Sequence, residues 1–137
     1  MILLVLVAVS RVRWPDPMPH VLVVAGVVIA LAGLAFVIWA RISLGGAFTM
    51  FPQPRQRDAP VSSGAYRFAR HPIYGGLLLV MGGLALSRSL PSLVLVAALG
   101  VLWWRKSLEE ERRLVAMFPD YPAYRQRVRR RFLPFVA

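Results

Sequence analysis

Val21-Leu-Val-Val-Ala-Gly-Val-Val-Ile-Ala-Leu-Ala-Gly-Leu-Ala-Phe-Val-Ile-Trp-Ala40 runs without one charged or strongly polar side chain. A helix rises about 1.5 Å per residue, so this stretch reaches across the ~30 Å hydrocarbon core of a bilayer. It predicts a membrane span. The whole chain agrees with that environment: 58% of its 137 residues are apolar and its mean hydropathy is +0.59, too apolar for an ordinary soluble domain. The length leaves room for a single domain.

Working outward from the span, residues 1–9 are apolar but short, and they lack the basic start and small-residue cleavage pattern of a secretory signal. They read as a short or tilted first span. Arg11 to His20 carries Pro15, Pro17 and Pro19 and reads as a helix-breaking connector. After the span, residues 41–71 contain Gly45, Gly46, Pro52, Pro54, Pro60 and Gly64 and read as a surface loop, long enough to be functional. Two apolar blocks follow, Ile73 to Leu86 and Leu93 to Trp104, separated by a short polar turn. They predict a helical hairpin over 72–87 and 91–106 that returns the chain to the side it left. Residues 107–137 become amphipathic, with Leu108, Leu114, Val115 and Phe118 among charges, and end in an arginine-rich interfacial tail.

The predicted fold class is therefore all-α: an integral membrane bundle of three to four transmembrane helices with a cytosolic C-terminal amphipathic helix. The formal charge of +11 fits this placement better than it fits nucleic acid. Arg41, Arg55, Arg57, Arg67 and Arg70 lie in the loop, and nine more basic residues follow the last apolar block, so both segments belong on the cytoplasmic side. That predicts a multi-pass protein of a bacterial-type inner membrane. The chain has no cysteine and only two histidines, which lack helical i, i+4 spacing, so no metal site is expected.

Two clusters carry chemistry. The first is Tyr66-Arg-Phe-Ala-Arg70-His71-Pro72-Ile73-Tyr74-Gly75. Pro72 suits the first turn of a helix, whose free N–H groups, flanked by His71 and Tyr74, can bind a carboxylate. The second is Lys106-Ser-Leu-Glu109-Glu110-Glu111-Arg112-Arg113, where the last apolar helix leaves the membrane. Consecutive helical residues point about 100° apart, so the three glutamates cannot all face one pocket. Each cluster alone has a structural account: an interfacial helix start for the first, and salt bridges to Arg112, Arg113 and the tail for the second. Gly82 and Gly83 read as helix packing, while Gly75 and Gly76 could also admit a ligand.

Taken together and in this order, the clusters resemble the isoprenylcysteine carboxyl methyltransferase family and, more widely, the membrane phospholipid methyltransferase superfamily. The matching features run from Leu44-Gly45 through Phe48, Val61-Ser-Ser-Gly64-Ala-Tyr66, Arg70-His71-Pro72-Ile73-Tyr74-Gly75 and Glu110-Glu111 to Tyr121, Tyr124, Arg127-Val128 and Leu133-Pro134. The resemblance implies an enzyme that binds S-adenosylmethionine at the cytosolic face and admits a lipophilic acceptor from the bilayer. It further implies that Val61, Tyr66, His71, Pro72, Ile73 and Tyr74 contact the cofactor together with Glu110, with Asp58 to Pro60 lining the same pocket.

The chemistry suits that assignment, because the cofactor carries a carboxylate for the helix start and His71, and a cation and a ribose diol for Glu110. Family members usually have an arginine where Lys106 stands, and a lysine lacks the bidentate fork that grips a carboxylate. Arg105 or Lys106 is expected to orient an anionic acceptor, with lipids as partners and no nucleic acid. Two other readings stay open: a membrane reductase of the sterol-reductase type using NADPH, and a non-enzymatic scaffold binding anionic lipid. Calorimetry with S-adenosylhomocysteine and NADPH separates them.

Overall fold

The structure, a computed structural model, describes Leu4 and residues 19–45, 61–88 and 90–134. The expected first span (apart from Leu4), Phe48 and Asp58 to Pro60 lie outside the described residues. Among residues 19–134 the described elements are, in order, α1 (His20–Leu44), a 3-10 turn (Gly64–Arg67), α2 (Pro72–Leu86), α3 (Leu90–Met117) and α4 (Tyr121–Arg127). No β-strand occurs among the described residues.

The uncharged run of residues 21–40 forms most of α1, 25 residues long, in which only Gly26, Gly33 and Ala40 are buried. The core helix of a soluble protein would be mostly covered; α1 instead exposes Val21, Val24, Val28, Leu31, Leu34 and Ile38. Among the described residues α1 is the single helix long and apolar enough to cross a membrane. α2, at 15 residues, covers only about 22 Å, short of a hydrocarbon core. Of the expected three to four spans, the described residues show one helix of full length, α1, and one shorter apolar helix, α2.

Glycines let α1 and α2 approach closely. A Cβ on Gly33 would stand 2.7 Å from the Gly76 carbonyl oxygen, and one on Gly76 3.0 Å from that of Gly33. Gly26 and Gly83 meet in the same way two turns along, so the two backbones touch where side chains would hold them apart. This corrects two readings. Gly82, expected to pack, faces open space: a Cβ there would meet nothing within 4 Å among the described residues. Gly76, a candidate for admitting a ligand, admits α1 instead.

α2 and α3 share a core of Met81, Ala85, Val96, Leu99 and Trp103, with Tyr74, Leu77 and Phe132 against it. α3 continues past its apolar half as one unbroken helix into the charged stretch. The segment after it packs back onto the protein. Tyr121, Tyr124 and Val128 form a second small core with Leu114 and Phe118, and the chain then folds back to the start of α2. There Arg70 N–H donates to the Arg130 carbonyl at 3.0 Å and His71 N–H to the Arg131 carbonyl at 2.7 Å.

Candidate functional site

The site forms where three segments converge: the start of α2, the charged half of α3, and the returning tail. Pro72 begins α2 with His71 as its N-cap residue. The α2 start is not an open terminus. The tail carbonyls of Arg131 and Phe132 lie against it, the first accepting from His71 N–H and the second in contact range of Gly75. Gly75 is therefore kept small by the tail backbone, and its expected role in admitting a ligand gives way to that contact.

The three glutamates of α3 face three surroundings. Glu109 lies on the surface and pairs with Arg112 at 3.5 Å and Arg113 at 3.3 Å. Glu111 is buried, 3% exposed. Its Oε1 is 3.2 Å from Arg70 Nε and 3.2 Å from His71 Nε2, and its Oε2 is 3.4 Å from Arg131 Nη2. Burial opposes its charge, but the hydrogen bond to His71 and the guanidiniums of Arg70 and Arg131 prevail and hold its carboxyl below the usual carboxylate range.

Glu110 lies between these extremes. Its Oε1 accepts from the Tyr74 hydroxyl at 2.7 Å and stands 3.8 Å from Lys106 Nζ, while its Oε2 is 3.6 Å from His71 Nδ1. Its side chain is 37% exposed, so a water-borne ligand can reach it. Tyr74 is fixed by its ring: it stacks on His71 (5.8 Å, 11°) and on Trp103 (5.3 Å, 18°), with the Phe132 ring edge-on at 6.3 Å. Tyr66, on the 3-10 turn, has its phenol pushed up to about 12, first by burial and then by the nearby Glu110 charge. It therefore stays a neutral hydrogen-bond donor across the physiological range.

The turn is itself tied down. Gly64 has φ +57°, and a Cβ there would run into the Ser43 side chain of α1. Ala65 N–H donates to Ser43 Oγ at 3.0 Å, and Tyr124 Oη donates to the Tyr66 carbonyl at 2.7 Å. Thus α1, the turn and α4 together place Tyr66.

Of the expected site residues, the structure brings His71, Tyr74 and Lys106 to within 3.8 Å of the Glu110 carboxylate, with Tyr66 near enough to feel its charge. Pro72 is buried and Ile73 half-buried in the first turn of α2, and Val61 is half-buried ahead of the 3-10 turn. Arg105 is exposed, with no ion pair among the described residues. A separate groove of about 320 Å³, lined by Ser62, Arg67, Tyr124, Arg127 and Val128, shares no residue with the Glu110 group. No group of three or more His, Asp or Glu suited to a metal occurs among the described residues.

Sequence reasoning missed Glu111, Ser107, Arg131 and Phe132. A signal for the first two was present. The buried positions of α3 run Ser92, Val96, Leu99, Trp103, Ser107, Glu111, and continuing the apolar stripe of the span in steps of three and four lands on Ser107 and Glu111. Nothing local marks Arg131 or Phe132, whose partners are 20 or more residues away.

Comparison with known proteins adds the family. No curated protein and no solved structure matches the chain. The family model described as phospholipid methyltransferase matches residues 21–120, which take in α1, the 3-10 turn, α2 and α3. Its methyltransferases generally use S-adenosylmethionine, and with α1 it points to a membrane-associated protein. The chain belongs to the phospholipid methyltransferase family, which includes the isoprenylcysteine carboxyl methyltransferases, and is a methyltransferase in that general sense.

Proposed function

We propose that the chain is a multi-pass membrane enzyme that transfers a methyl group from S-adenosylmethionine to a lipophilic acceptor at the cytosolic face of a bacterial-type inner membrane. The observation that carries this reading is the Glu110 carboxylate, open to solvent and ringed by Tyr74, His71 and Lys106. The residues fit the cofactor. Glu110 would take its cation or ribose diol, and Tyr66 offers a neutral hydroxyl. Val61, Pro72 and Ile73 would complete the lining.

When bound, the cofactor supplies an electrophilic methyl group on a sulfonium. The protein's contribution is alignment and exclusion of water, and the apolar surface of α1 and α3 would keep the acceptor in lipid beside the site. Lys106 would orient an anionic acceptor such as a carboxylate or thiolate, which needs no base; it stands nearer to Glu110 than any other expected acceptor-side group. Arg105, adjacent and exposed, would add to the positive field. An isoprenylcysteine-like acceptor is one candidate of this class.

The arginines nearest the site argue against the NADPH reading. Arg70 and Arg131 are buried and engaged by Glu111, which leaves them unable to receive dinucleotide phosphates without breaking that pairing. The scaffold reading gives no reason for a half-open carboxylate in a basic surface. The test is calorimetry on the detergent-solubilised protein: S-adenosylhomocysteine is expected to bind, NADPH is not, and Glu110→Ala should weaken the former about tenfold or more. Binding of NADPH alone would reverse the assignment. A labelled-methyl transfer assay against a membrane lipid extract then identifies the acceptor.

A further inference from the structure

We propose that Arg131 is a positioning residue: acting through Glu111, it sets the His71 ring with Nε2–H directed at Glu111, leaving Nδ1 as an acceptor beside Glu110 for a ligand's N–H or O–H. The ligand half of this statement rests on the reading of the site given above. The positioning half stands on contacts alone.

Arg131 is held along three successive levels of one face of α3. Its guanidinium lies 4.6 Å above the Trp104 ring, its Nη1 donates to Ser107 Oγ at 2.7 Å, and its Nη2 donates to Glu111 Oε2 at 3.4 Å. Ser107 Oγ in turn donates to the Trp104 carbonyl at 2.8 Å, so the hydroxyl is free to accept from the arginine. The backbone at Arg131 is also pinned, its carbonyl accepting from His71 N–H. A buried cation fixed this firmly fixes the carboxylate it touches. With Arg131 on Oε2 and Arg70 beside Oε1, Glu111 cannot turn away from His71.

The consequence for His71 follows from donor and acceptor roles. Glu111 stays ionised, since its neighbours hold its carboxyl below the ordinary range, and an ionised carboxylate only accepts. The imidazole nitrogen facing it at 3.2 Å must therefore be the donor. A neutral imidazole has one N–H to give, so Nδ1 carries a lone pair. It faces Glu110 Oε2 at 3.6 Å, beyond hydrogen-bond range. Tyr74 and Lys106 both lie toward the other oxygen, Oε1. Two acceptors thus stand side by side with no donor between them among the described residues. An ammonium or a pair of hydroxyls would satisfy both at once; a carboxylate would be repelled. The cationic or diol end of the cofactor, and not its carboxylate, belongs at this point.

The chain has only His20 and His71, so a His20→Gln background leaves one labelled ring for 15N NMR of the detergent-solubilised protein. In the wild-type protein His71 should show the Nε2–H form, its Nε2 facing Glu111. Arg131→Met should give a mixture of both tautomers, and Arg131→Lys, which keeps a cation at Glu111, should restore the preference. Glu111→Gln should invert it, because an amide N–H can donate to Nε2 and free the proton to Nδ1, toward Glu110. On the same samples Arg131→Met should weaken S-adenosylhomocysteine binding about tenfold, near 1.4 kcal/mol. A wild-type ring that is Nδ1–H or imidazolium, or one that Arg131→Met leaves unchanged, overturns the proposal even if some variants fail to fold. An Nε2–H ring that depends on Arg131, in a protein that binds no S-adenosylhomocysteine, would keep the positioning role and reject the methyl-donor reading.

Discussion

Glu110 and Glu111 are adjacent on α3 and both touch His71, yet they have opposite surroundings. Glu111 is enclosed, with both oxygens engaged by Arg70, Arg131 and His71. Glu110 is open, with one oxygen bonded to Tyr74 and the other facing an imidazole nitrogen too distant for a bond. A step of about 100° around the helix separates a carboxylate saturated by its own protein from one that has capacity left for a ligand. The difference teaches how a small basic protein keeps a charged site stable. The inner carboxylate neutralises the cations that hold the framework, and the outer one is left for binding.

The largest effect expected from breaking this arrangement is on the inner carboxylate. Glu111→Ala strands two buried guanidiniums, and removing one partner of a buried ion pair costs about 3 to 5 kcal/mol. Thermal melting in detergent should show a collapse of stability or failure to fold. A melting temperature unchanged from wild type would mean that Arg70 and Arg131 are solvated in the native protein and that the inner cluster is not structural.

Acid should act on the same residue more gradually. The Glu111 carboxyl sits below its usual value of 4.5 in the folded state, so the native protein binds the proton less readily than the unfolded chain does. The stabilisation is therefore complete above about pH 4.5 and is lost as pH falls from there through the folded value. Melting temperatures measured from neutral pH downward should decline over that window in wild type and more shallowly in Glu111→Gln. A decline of equal steepness in both would place the acid-sensitive group elsewhere.

Glu110 should give the reverse pattern. Removing it deprives the Tyr74 hydroxyl of its acceptor, a loss of about 1 kcal/mol in stability, which is modest beside that of Glu111→Ala. Ligand affinity should fall much further: a charge-assisted contact is worth about 1.5 to 3 kcal/mol, or tenfold and more in the S-adenosylhomocysteine dissociation constant. Comparing melting and calorimetry for the two alanine variants side by side would sharpen the division. Equal losses of stability at both positions would erase it.

How far this could be read from the chain depends on the range of the interactions. α1 was legible because an uncharged run of that length has few other uses, and Pro72 marked the start of α2 by local chemistry alone. The grouping of Tyr66, His71, Tyr74 and Glu110 came from motif order, which the hairpin connection makes geometrically plausible. Which glutamate would be buried was readable in principle, from the phase of the stripe through Leu99 and Trp103, but three acidic residues in a row obscured it. The return of Arg131 and Phe132 to the α2 start had no periodic or compositional signal, since a tail rich in arginine and aromatics looks the same whether it lies on lipid or folds into a polar cluster. The close α1–α2 contact was half visible: the glycines were conspicuous, but which of Gly82 and Gly83 faced α1 depended on a helix rotation set by the neighbour.

Glu109 supplies the control that the comparison needs, and the smallest effect. It has the same side chain on the same helix, one residue before Glu110, and it pairs with Arg112 and Arg113. Both arginines are mostly exposed, and its own side chain is 51% exposed. Water screens such pairs, and ordering two long side chains offsets most of the attraction, so exposed helical pairs contribute about 0.3 to 0.5 kcal/mol. Glu109→Ala should therefore leave S-adenosylhomocysteine affinity at its wild-type value and shift the melting temperature barely beyond error. The three adjacent alanine variants would then separate fold, site and surface along a single turn of helix. If Glu109→Ala instead weakened the ligand as much as Glu110→Ala does, the effect at Glu110 would be one of net charge near a basic surface, and the specific geometry around His71 and Tyr74 would lose its claim to the binding.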